Sequence, residues 1–150
     1  MALDLGHKIP QFSLQNQEAE IVDSASLFGN PVVIFFYPKD FTPGCTKEVC
    51  SFRDAYQDFT DNGIQVIGIS SDSIKTHKRF ARKHRLPFTL LADGKGSVRK
   101  QFGVPSSMFG LLPGRTTFVF DKEGVLQMKF NSQLDALAHV EKVLRHFEIK

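Results

Sequence analysis

Apolar residues recur along this chain in two rhythms. Continuous apolar runs at Val32–Tyr37 and Ile64–Ser70, with shorter ones at Phe88–Leu91, Thr116–Phe120 and Val125–Phe130, predict strands, the first of them buried. Between them the spacing changes to steps of three and four. Val49, Phe52, Ala55, Tyr56 and Phe59 predict a helix from Pro43 to about Thr60, ended by Asn62-Gly63. A second helix over Ser73–Arg85 must stop before Pro87, and a short one over Gly96–Phe102 is capped by Gly103. Asp121-Lys122-Glu123-Gly124 is a turn joining the last two strands. Ser132 with Asp135 three residues on resembles a capping box for a final amphipathic helix, with Leu134, Leu137, Val140, Leu144 and Phe147 on one face. At the other end, Ile9–Leu14 and Glu20–Val22 flank a polar turn and predict a hairpin.

The order is hairpin, βαβαβα, then ββα. Alternating βα units imply a partly parallel sheet with helices on both faces, and the closing antiparallel pair makes it mixed. The predicted class is therefore α/β, a thioredoxin-like fold with an N-terminal β-hairpin extension. No internal repeat, low-complexity tract or linker interrupts residues 1–150, so a single domain is expected.

Composition narrows the setting. A hydrophobic content of 41% with 15 Phe and no Trp suits a soluble core. No segment approaches the ~20 apolar residues that a membrane helix needs, so no membrane association is expected. Residues 1–11 are polar and lack the apolar centre of a signal peptide. A cytoplasmic protein is the expectation, and in that compartment two cysteines are reduced and catalytic rather than structural. The net charge of +3 names no partner.

The candidate chemistry lies just after the first buried strand. Thr42 suits an N-cap and Pro43 the first helical position, which puts Gly44 second and Cys45 third. In that first turn, unpaired N–H groups and the positive end of the helix stabilise a thiolate. Gly44 leaves no side chain beside the sulfur, so a small electrophile can approach. Cys50 follows five positions later, a separation of ~8.7 Å between Cα atoms on an intact helix. A disulfide needs them within ~7 Å; the two sulfurs can join only if the first turns unwind. The plain alternative is that both cysteines are small core residues. A metal site is disfavoured, since there are no further cysteines and no His lies near the pair in sequence. No cofactor is expected.

Pro38, Thr42 and Cys45 stand in the P-x-x-x-T-x-x-C pattern of the peroxiredoxins, and the longer run Phe36–Asp54 closely resembles the peroxiredoxin Q, or bacterioferritin comigratory protein, branch. The resemblance continues through Leu86-Pro87-Phe88, Leu90-Leu91-Ala92-Asp93 and Gly114–Asp121. It implies a thiol peroxidase acting on hydrogen peroxide and organic hydroperoxides. Cys45 would be peroxidatic and become a sulfenic acid. Cys50 would be the resolving cysteine, closing an intramolecular disulfide that a thioredoxin-like reductant reopens. Thr42 would hydrogen-bond thiolate and peroxide, Pro38 would shield the pocket, and Arg115 would hold the thiolate and polarise the peroxide. Glu48 resembles the acidic residue that orients that arginine. Phe41 departs from the polar or small residue of many relatives, a change at the rim of the pocket.

Lys75, Lys78, Arg79, Arg82, Lys83 and Arg85 crowd the second helix. Their spread around the circumference describes a solvated face, or a docking site for an acidic reductant, better than a nucleic-acid surface. His77 and His84 read as boundary residues. Two other classes compete with the peroxidase: a protein disulfide oxidoreductase, opposed by the missing C-x-x-C, and a non-catalytic binding module of the same fold. A resolving cysteine within the chain makes a monomer the default.

Overall fold

The computed structural model describes residues 3–105 and 114–149. Seven strands form one mixed sheet in the order β2-β1-β5-β4-β3-β6-β7. β3 (Val32–Phe36), β4 (Gln65–Ser70) and β5 (Thr89–Ala92) run parallel, because the chain crosses over through helices between them. β6 (Thr116–Phe120) and β7 (Leu126–Asn131) add antiparallel on one side. The N-terminal hairpin, β1 (Ser13–Asn16) and β2 (Ile21–Asp23), adds antiparallel to β5 on the other. The hairpin begins later than the apolar pattern suggests: Ile9 donates its N–H to Gly124 O instead and is buried there.

Every residue of β3 is buried. Val32, Ile34 and Phe36 enter one core cluster, while Val33, Phe35 and Tyr37 enter the other with Cys45, Val49 and Phe52. The two-residue alternation of a strand thus serves both faces. The first thiol is thereby tied to the most buried strand of the molecule.

Two expectations need correction. The helix expected over 43–60 is two, α1 (Pro43–Asp54) and α2 (Tyr56–Asp61), separated at Ala55 with φ −92° and ψ 0°. Phe52 and Phe59 keep their rings 6.2 Å apart across the break. Apolar spacing survives a change at one residue, so it does not reveal the break. α3 (Ile74–His84) and α4 (Ser97–Phe102) fall where expected. α5 (Ala136–His146) is capped by Asp135, whose carboxylate accepts from Ala138 N–H, while Ser132 Oγ accepts from Asp135 N–H. Its buried side carries Ala136, His139, Val140 and Val143, and Leu134 is 97% exposed ahead of the helix. The helix is rotated from the leucine stripe because His139, nominally polar, finds partners in the interior. No helix among the described residues is long and apolar enough to cross a membrane.

Candidate active site

The loop from Tyr37 to Thr42 leads from β3 into α1 and is held from below. Tyr37 donates its N–H to Ile69 O. Its hydroxyl donates to Asp40 Oδ1 at 2.5 Å, and the other oxygen of Asp40 meets His77 Nδ1 at 2.6 Å. His77 Nε2 faces Leu91 O at 3.0 Å, and Asp72 accepts from Asp40 N–H and Ser70 Oγ. Burial, with Asp40 beside it, pushes the Tyr37 phenol well above its ordinary value and keeps it a donor. Asp40, Asp72 and His77 bring ligand-type atoms within 4.8 Å of one another. Those atoms are already engaged, which makes the cluster a brace for the loop. His77 is fully buried, not at a boundary. Its spacing with His84 gave no hint of Asp40, which lies 37 residues away.

On top of this brace, Cys45 sits in the first turn of α1 with 1% exposure. Lys39 directs its backbone N–H at the sulfur from 3.5 Å, and Arg115 directs Nη2 at it from 3.4 Å. The same guanidinium donates through Nη1 to Glu48 Oε1 at 2.5 Å and through Nε to Gln133 O at 3.1 Å. Three anchored nitrogens leave the arginine little freedom to turn. Gly44 leaves room for this approach, for a Cβ there would stand in tight contact, 3.3 Å from Arg115 Nη2.

Thr42 occupies the N-cap position, but its side chain makes no cap hydrogen bond. The hydroxyl turns back and donates to Lys39 O at 2.8 Å, leaving its lone pairs free to accept. Pro38 is half-buried between Tyr37 and Lys39.

Glu48 is wholly buried, and Oε2 has no hydrogen-bond partner. Burial pushes its carboxyl up to about 8, with Arg115 pulling the other way. Burial also works against the charge of Arg115, but Glu48 and Cys45 outweigh it and raise its value. Beyond Glu48 lies His139, with Nδ1 3.6 Å from Oε2. Its Nε2 donates to Ser132 O at 2.9 Å, so Nδ1 is the acceptor for Thr117 Oγ1 at 2.8 Å. Burial drives His139 down to about 4, and it is neutral. The sequence carried no local signal for Thr117 or His139, which matter here only because β6 and α5 meet behind α1.

Cys50 is half-buried on the same helix, its thiol pushed up mainly by burial, and both cysteines are free. Since α1 runs unbroken through both, their Cα atoms are ~8.7 Å apart by helix geometry.

This thiol, guanidinium and carboxylate lie within a stretch, residues 5–129, that matches the AhpC/TSA family. The chain belongs to that family, in its peroxiredoxin Q branch. It is 50% identical over 140 residues to the chloroplastic peroxiredoxin Q of Sedum lineare, covering 93% of this chain and 75% of the relative. The chloroplastic peroxiredoxin Q of Populus jackii is 47% identical over 140 residues, covering 93% of this chain and 66% of the relative. The crystal structure of the peroxidoxin BcpB from Mycobacterium tuberculosis superposes with a TM-score of 0.89 at 36% identity, covering 97% of each chain. The fold is that of the thioredoxin-like peroxiredoxins, and the activity is thiol-dependent peroxidase. The cytoplasmic expectation does not stand, because these peroxiredoxin Q relatives are chloroplastic. The polar N-terminus spoke only against a secretory signal, and a catalytic domain does not encode its compartment.

Proposed function

We propose that Cys45 is the peroxidatic cysteine, within a single catalytic domain. The Cys45 thiolate attacks the terminal oxygen of hydrogen peroxide or an organic hydroperoxide, and the O–O bond breaks. The sulfur becomes a sulfenic acid, and the departing hydroxide or alkoxide takes up a proton. Arg115 stabilises both the thiolate and the leaving oxygen as charge moves between them. Thr42 accepts a hydrogen bond from the peroxide O–H, and Pro38 covers the loop side of the pocket. Glu48 orients Arg115.

Cys50 then attacks the sulfenic sulfur, forms the Cys45–Cys50 bond and releases water. A thioredoxin-like dithiol protein reduces that bond by exchange. With the resolving thiol in the same chain, a monomer completes the cycle. The observation that carries the reading is the 3.4 Å approach of Arg115 to a sulfur in the first turn of α1.

Stopped-flow peroxide consumption tests it. Cys45→Ser should abolish turnover, and Cys50→Ser should accumulate a sulfenic acid on Cys45 that dimedone traps. Hydrogen exchange of the oxidised wild type should show protection lost between Thr42 and about Arg53. Wild-type turnover in Cys45→Ser would refute the assignment.

A further inference from the structure

Phe41 sits at the rim of the site in an unusual state. Its φ is +66°, a left-handed backbone that bulky side chains rarely adopt, and 42% of it is exposed. The ring stands edge-on to Phe80 at 5.0 Å, with Arg79 and Lys83 over it at 5.8 and 6.0 Å. An exposed aromatic residue is therefore framed by two cations four residues apart on α3, both exposed themselves.

Phe41 immediately precedes Thr42, the N-cap of the helix that carries both cysteines. Arg53, one turn beyond Cys50 on α1, donates to His84 O at the end of α3 at 2.9 Å and ties the two helices together. A reductant that reopens the disulfide has to reach the segment that Phe41 leads into.

We propose that Phe41, Arg79 and Lys83 form the docking surface for an acidic dithiol protein that reduces the oxidised enzyme. The inference rests on the disulfide cycle proposed above. Charge selects this occupant. A second copy packed about a twofold axis would bring Arg79 and Lys83 against their own images. Lys78, on another side of α3, turns away from the patch toward Glu18 at 3.8 Å.

The test is steady-state peroxide reduction driven either by an acidic thioredoxin or by dithiothreitol. In Arg79→Glu/Lys83→Glu, the KM for thioredoxin should rise about tenfold or more while the dithiothreitol rate stays at the wild-type level. The charge-keeping Arg79→Lys/Lys83→Arg should restore the wild-type KM. Phe41→Ala should also raise that KM, and salt should weaken thioredoxin use by the wild type. An unchanged KM in the charge-reversed variant overturns the proposal, as does a wild-type dimer that the reversal dissolves without altering KM. A wild type inactive with both reductants would instead bring down the peroxidase cycle, and this docking surface with it.

Discussion

Arg115 Nη2 lies 3.4 Å from Cys45 Sγ while Nη1 of the same guanidinium holds Glu48 Oε1 at 2.5 Å. One planar cation thus serves a nucleophile and a buried carboxyl one helical turn apart on α1. Arginine suits this because its nitrogens form a rigid fork, which an ammonium cannot reproduce.

Replacing Arg115 with Met should lower kcat/KM for peroxide by about 10²–10³, the usual cost of losing a donor aimed at developing charge. Arg115→Lys should recover only part of it, since a point charge cannot hold both Cys45 and Glu48. Single-turnover peroxide kinetics read this step directly. Full activity in Arg115→Lys would show that charge alone suffices.

Gly44→Ala probes the same geometry without touching a reactive group. The new Cβ at 3.3 Å from Nη2 forces the guanidinium back by a few tenths of an ångström. Peroxide reactivity should fall, whereas thermal stability should hold or rise, alanine being the better helix former by up to ~1 kcal/mol. A loss of stability in step with activity would argue against this account.

Glu48 and His139 give the fold a pH signature. Glu48 keeps its proton up to about 8 in the folded state, against an ordinary 4.5 when unfolded. Its contribution is fully present below 4.5 and is lost as pH rises toward 8, because the unfolded chain releases the proton first. His139 acts in the opposite sense, its value falling from 6.5 to about 4, so stability recovers as pH climbs through that range. Arg115 and Cys45 face the same pocket but remain in place in this comparison. The two effects oppose each other below 6.5, and the Glu48 effect stands alone from 6.5 to 8. Urea unfolding should show wild-type stability falling over that upper window and Glu48→Gln staying flatter. Parallel curves would exclude Glu48 as the source.

Much of the scaffold follows from neighbours in sequence. β3, β4, β6 and α3 lie where period and punctuation put them, since strand alternation, helical spacing and turn chemistry are local. α5 escaped the same reasoning because the pattern counts His139 as polar, while Thr117 and Ser132 satisfy it in the interior. The position of Thr42 was legible, but its hydroxyl's choice of Lys39 O over the helix N-terminus was not.

The sequence by itself determined that a thiol opens α1 directly after a buried strand, and that a second thiol five residues on cannot reach it without unwinding. Arg115 came through a family pattern, not through anything adjacent to Cys45. Only the tertiary structure decided that β6 delivers this arginine to a sulfur 70 residues away, that Glu48 is buried between it and His139, and that Phe41 meets the cations of α3. The physical reason is range. Caps and periodicity act within a few residues, whereas these contacts depend on strand order and register, which place distant side chains at one end of the sheet.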